Sequence, residues 1–130
     1  MPHIHIDHSP NAADRVDMAS LCQALAEAAV ATGIFPRAGI RVRAVPAATV
    51  WMADGNPDHA YADITIRIGA GRSAATRSAA TDAIFEAARA HCARALASGS
   101  FMLSCEMREI DPTLSRKTSS IRDHLPPGMH

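Results

Sequence analysis

The sequence predicts an α+β fold: a duplicated β-α-β unit forming one four-stranded sheet with two helices on one face. Three observations carry this. Four stretches alternate apolar and polar residues, as half-buried strands do. Two segments between them repeat apolar residues at helical spacing. Those two segments also end alike, at Ala31-Thr32-Gly33 and Ala97-Ser98-Gly99, which marks an internal duplication.

The elements follow in order. In the stretch from His3 to His8, Ile4 and Ile6 point one way, and His3, His5 and Asp7 the other. Ser9-Pro10-Asn11 reads as a turn. Asp14 or Asp17 can cap a helix carrying Met18, Leu21, Cys22, Leu25, Ala28 and Ala29 on one face. Gly33 closes it, with Pro36 beyond. Ile40 to Val45 alternates again, with Arg41 and Arg43 on one face, and Pro46 ends it. Thr49 to Met52 reads as a short extended piece before the Asp54-Gly55 turn. Ile64, Ile66 and Ile68 form the inward side of a third strand. A long Ala-rich helix is expected from about Ser73 to Ser98, with Ala80, Ala83, Ile84, Ala87, His91 and Leu96 inward. Phe101, Leu103, Cys105 and Met107 mark the last strand. The expected domain is 1–122, its halves at about 1–46 and 60–110 joined by a hairpin, and 123–130 is a flexible tail.

Composition narrows the function. Of 130 residues, 27 are Ala and only five are aromatic: Phe35, Trp51, Tyr61, Phe85 and Phe101. Burial stabilises by about 25 cal/mol per Å², so an Ala-rich core is thin. The helix-free sheet face must also find a partner or stand as a patch. Both point to an oligomer of identical chains. Thirteen basic and thirteen acidic residues cancel, which argues against a broad nucleic-acid surface. No apolar run approaches about 18 residues, so no membrane helix is expected, and no signal peptide is legible. Cys22, Cys92 and Cys105 are odd in number and lack metal spacing, which suits packing residues in a reducing cytoplasm.

Four constellations could carry chemistry. Removal of Met1 would give Pro2 a free secondary amine, a base that burial and nearby Arg would tune toward neutral pH. With Met1 retained, the same nitrogen is an amide and cannot act. The turn Gly69-Ala70-Gly71-Arg72-Ser73 opens a helix, where backbone N–H groups favour an anion and Arg72 adds a fork; the plainer reading is a tight turn with a solvated Arg. Arg41 and Arg43 share a strand face and repel unless an anion or an acid such as Asp63, Glu106 or Glu109 joins them. His3 and His5 share a face and could hold a metal, though no third ligand falls at convincing spacing. No metal is therefore expected.

Several short motifs stand in order: Met1-Pro2-His3-Ile4, Ala31-Thr32-Gly33-Ile34-Phe35-Pro36, Ala38-Gly39-Ile40-Arg41, Met52-Ala53-Asp54-Gly55, Ile68-Gly69-Ala70-Gly71-Arg72-Ser73 and Pro112-Thr113-Leu114. Together they resemble the 5-carboxymethyl-2-hydroxymuconate isomerase family of the tautomerase superfamily, from Met1 to about Arg122. The match departs at His5, at Asp7-His8-Ser9 and along Val45 to Trp51. The resemblance implies a tautomerase-like fold assembled as a homotrimer, and a cofactor-free keto–enol isomerase in 4-hydroxyphenylacetate (homoprotocatechuate) breakdown. It implies Pro2 as acid/base, with Arg41 and Arg72 binding and polarising an anionic di- or tricarboxylate substrate. Arg43 is a further candidate for substrate contact, and Phe35 and Trp51 for an apolar wall. Two alternatives stand beside this reading: a tautomerase for another 2-hydroxymuconate-like acid, and a non-catalytic trimeric binding protein.

Overall fold

The computed structural model describes residues 1–129; His130, the last residue of the expected tail, lies outside the described residues. The order is β1 (His3–His8), α1 (Met18–Ala31), β2 (Arg41–Pro46), β3 (Ala60–Gly69), α2 (Ala74–His91), α3 (Ala93–Ser98) and β4 (Phe101–Ile110). The strands form one sheet in the order β2-β1-β3-β4. β1 runs parallel to β2, β3 parallel to β4, and the two pairs meet antiparallel at β1 and β3. Each half is thus a β-α-β unit, and the two halves join edge to edge.

The core lies between the sheet and the helices. Ile4 and Ile6 from β1 and Ile64, Ile66 and Ile68 from β3 are fully buried, together with Leu21, Leu25 and Ile84 from the helices. Each such side chain contributes roughly 1.5–3 kcal/mol of burial. β2 and β4 are edge strands whose inward residues are half-buried. Alanine has a positive use here. Ala29, Ala80 and Ala88 are buried on the helix faces, so the helices pack closely on the four-stranded sheet.

Several expectations change in detail. Asp17 rather than Asp14 caps α1, accepting from Ala19 N–H at 3.0 Å and Ser20 N–H at 3.2 Å. The long second helix breaks at Cys92, whose ψ of 6° turns the chain before α3. Its buried line is Ala80, Ile84, Ala88, Cys92 and Ala95, while Ala83, His91 and Leu96 face solvent. An i+4 stripe drifts around an 18-residue helix, and the i+3 positions chosen from sequence fall off its edge. The connection expected as a hairpin has no strand at Thr49–Met52; residues 47–59 are loop and turn. Trp51 folds back over Gly55 instead, so close that a Cβ there would lie 2.5 Å from the ring.

The helix-free face is polar, not an apolar patch. Its residues fall into rows set by register. One row reads Arg41, His3, Arg67, Arg108; the next Arg43, His5, Thr65, Glu106; the next Val45, Asp7, Asp63, Ser104. One end of the face is basic and the other acidic.

Candidate active site

The basic end of the open face forms the floor of a cleft of about 740 Å³. One wall is the short turn Arg37–Gly39, which delivers the chain into β2. The other wall is the C-terminal segment, which turns at Asp111–Thr113 and returns across the sheet through residues 115–119. Met1 sits in this cleft, against Gly39, where a Cβ would come within 3.2 Å of the Met1 Cα. Glycine at 39 is what allows that approach. Pro2 follows and is fully buried, its carbonyl accepting from Arg41 N–H at 3.1 Å. The start of the chain is therefore fixed by a strand bond rather than frayed.

The cleft is cationic. Arg41, Arg67, Arg116 and Lys117 line it, and among the described residues no Asp or Glu does. Arg41 donates from Nη2 to His3 Nδ1. Arg cannot accept a hydrogen bond, so His3 is neutral there with its proton on Nε2. Burial, then Arg41 and Arg67, hold the His3 pKa below its usual 6.5. This engagement also removes Nδ1 as a metal ligand. Among the described residues, no group of three or more His, Cys, Asp or Glu is placed to hold a metal ion. The amino group on Met1 is likewise pushed down, first by burial and then by the charges of Arg72 and Lys117.

Arg72 is placed differently from expectation. It does not line the cleft. Nη1 donates to Gly69 O at 3.2 Å and Nη2 to Ile34 O at 2.8 Å, and the guanidinium lies 5.0 Å over the Phe35 ring. It clamps the loop after α1 to the end of β3, and its charge reaches the amino terminus from behind. Phe35 is 5% exposed, so it is a platform for Arg72 rather than a wall. The glycine turn also has its own anion. Gly71 N–H donates to Glu109 Oε2 at 3.3 Å, Arg77 pairs with Glu109 at 3.2 Å, and Ser73 Oγ caps Thr76 N–H at 3.1 Å.

Arg43 lies on the open face one row away, beside His5, and outside the cleft. Trp51 is not brought near Pro2 within one chain. It follows the far end of β2, a strand length of about 20 Å away, and is 79% exposed. Sequence reasoning missed Arg67, Arg116 and Lys117. Arg67 alternates with the inward Ile residues and reads as a solvated position; only the β1–β3 register sets it beside His3. The thiols are packing groups. All three are pushed up by burial, Cys105 to about 11 with help from Asp63.

Comparison with known proteins shows the family and the fold. The family model described as 5-carboxymethyl-2-hydroxymuconate isomerase matches residues 2–125. The chain belongs to this family. It is 39% identical over 121 residues to the 5-carboxymethyl-2-hydroxymuconate Delta-isomerase of Escherichia coli, covering 93% of this chain and 96% of that one. A crystal structure of a 5-carboxymethyl-2-hydroxymuconate delta-isomerase superposes with a TM-score of 0.90 at 29% identity, over 98% of this chain and 95% of the other. The fold extends to a fused 4-OT wild-type asymmetric trimer, with a TM-score of 0.64 at 21% identity, over 94% and 98% of the two chains. The chain is an isomerase with the tautomerase fold. Among the described residues no helix is long and apolar enough to cross a membrane.

Proposed function

We propose that the chain converts 5-carboxymethyl-2-hydroxymuconate to its 2-oxo tautomer without a cofactor, with Pro2 as the acid/base once Met1 is removed. The observation that carries this is the entry of the chain's amino end, at Met1, into a cleft lined by four permanent cations and, among the described residues, by no carboxylate. The Met1 amino group there is lowered by burial and by cations, and the same two causes would act on a Pro2 amine one residue further in. A base of that kind is most effective near working pH. The same cations attract a polyanionic substrate.

In this reading the Pro2 nitrogen takes the proton from the 2-hydroxyl. The double bonds shift by one position, carbon 2 becomes a ketone, and carbon 5 takes the proton back from the prolinium. The amine is regenerated, so atoms and charge balance. Arg41 stabilises the oxygen on which charge develops and the neighbouring carboxylate. His3 orients Arg41 by accepting one of its N–H bonds. Arg72, whose charge lowers the Met1 amino group, would act in the same sense on the Pro2 amine.

The working unit is a homotrimer. The exposed Trp51, Met102, Leu114 and Ile121 support this, and the likeness to a trimeric 4-OT is consistent with it. The pathway is the homoprotocatechuate branch of 4-hydroxyphenylacetate degradation, and the unpaired thiols suit a cytoplasmic location.

The test is Pro2→Ala, with loss of Met1 verified by intact mass. It keeps the fold by circular dichroism and loses about 10²–10⁴ of the ketonisation rate. Full activity in that variant overturns the role of Pro2.

A further inference from the structure

The substrate named for this family bears three carboxylates, two from the muconate chain and one from the carboxymethyl arm. The reading above uses Arg41 for the end nearest Pro2. Arg72 is engaged with two carbonyls and lies outside the cleft. The arm's carboxylate therefore needs another partner.

The geometry points to Arg67 and Lys117 as a subsite for that third carboxylate, which selects tricarboxylates over dicarboxylates; the assignment rests on the isomerase reading of the cleft. Arg67 stands across His3 from Arg41 in register, so the two strand positions are about 10 Å apart. That separation lets two guanidinium groups hold different carboxylates of one molecule rather than compete for the same one. Lys117 comes from the opposite wall. Arg116 beside it donates to Thr113 O and Ser115 O, which curls the segment and sets Lys117 over the cleft.

Two further facts single out this pair. Among the described residues, neither Arg67 nor Lys117 makes an ion pair or a side-chain hydrogen bond, although the chain carries thirteen acids. Arg108, next in the same row, is neutralised by Glu106 at 2.6 Å and lies outside the cleft. The register thus places an unpaired Arg inside the cleft and a paired one outside. Unpaired cations converging on one concavity repel each other until an anion enters.

The experiment compares Arg67→Met, Lys117→Met and the double variant on 5-carboxymethyl-2-hydroxymuconate and on 2-hydroxymuconate, which lacks the arm. Both positions are exposed, so folding is preserved. Each single change should raise KM for the tricarboxylate about tenfold, the worth of one charge-assisted contact, with kcat compared at a pH above the amine's titration so that the charge lost from Lys117 does not enter. KM for the dicarboxylate should rise by no more than about threefold, through the loss of one attracting charge, and Arg67→Lys should recover part of the loss. Equal losses on both substrates, or no loss on either, overturn the subsite. Calorimetry with tricarballylate and glutarate gives a readout independent of turnover. A tricarballylate preference that vanishes in the double variant supports the subsite even if the wild type isomerises neither acid, in which case the isomerase reading falls alone. No preference in the wild type overturns the subsite while leaving the isomerase reading intact.

Discussion

The two ends of the open sheet face are built on the same four strands, yet they hold opposite charge. At one end Arg41, His3 and Arg67 stand side by side above the start of β1. At the other, Asp7 stands opposite Asp63, a like-charged pair that should destabilise the ladder. Protein hydroxyls compensate there. Tyr61 donates to Asp7 at 2.8 Å, and Ser104 donates to Asp63 at 2.7 Å. Burial and the Asp7 bond push the Tyr61 phenol up to about 12. The acidic end is internally satisfied, while Arg67 at the basic end faces a cleft without an acid. A sheet that answers one charged end and leaves Arg67 unanswered at the other points to the basic end as the candidate binding end.

The largest effect expected on that contrast comes from Arg41→Ala, paired with Asp63→Asn at the far end. Arg41→Ala should lower kcat/KM by roughly 10²–10³, the usual loss for one donor to a developing oxyanion. Asp63→Asn should leave kcat/KM within about threefold. Similar losses from both would show that the two ends share the chemistry.

Below this comes the helix layer that both ends rest on. Asp17→Ala removes the acceptor for two N–H groups at the start of α1 and should cost about 1 kcal/mol in denaturant unfolding, with catalysis retained. Ile64→Val, beneath the middle of the sheet, should cost about 0.5–1.5 kcal/mol and favour neither end.

A smaller effect is a pH dependence carried by His3. Its folded pKa is depressed, so the folded state favours neutral His3 while the unfolded chain binds the proton more readily. Its contribution is therefore present above the unfolded value near 6.5 and is lost as pH falls through the folded one. The melting temperature of wild type should fall more from pH 7 to pH 5 than that of His3→Gln. An identical slope in both would remove His3 from the account. The smallest expected change is at Cys105, whose thiol should titrate below its present value of about 11 when Asp63 becomes Asn.

Much of the fold was legible because the strands alternate strictly. Ile4, Ile6, Ile64, Ile66 and Ile68 declare their face, and alternation with a period of two leaves no second choice of register side. Residues 47–59 were not, because Asp54-Gly55 signals a turn but not whether its flanks pair. At the candidate site, the family resemblance singled out Pro2 and Arg41, and a strand bond and a parallel register bring the two together. Arg72 was visible as a charge beside a glycine turn, but its direction depends on the carbonyls of Ile34 and Gly69. Glu109 at the same turn was not visible, since 38 residues separate it from Gly71. The C-terminal wall carried no periodic signal at all, and its role rests entirely on where the chain returns.

The central claim is that chemistry begins at a free Pro2 amine at the basic end. The most direct measurement is the ketonisation rate of two preparations distinguished by intact mass, one without Met1 and one that retains it. Rapid turnover by the Met1-free protein and none above background by the Met1-bearing one is the predicted result. Equal rates from both would contradict the account, because the Pro2 nitrogen of the second is an amide.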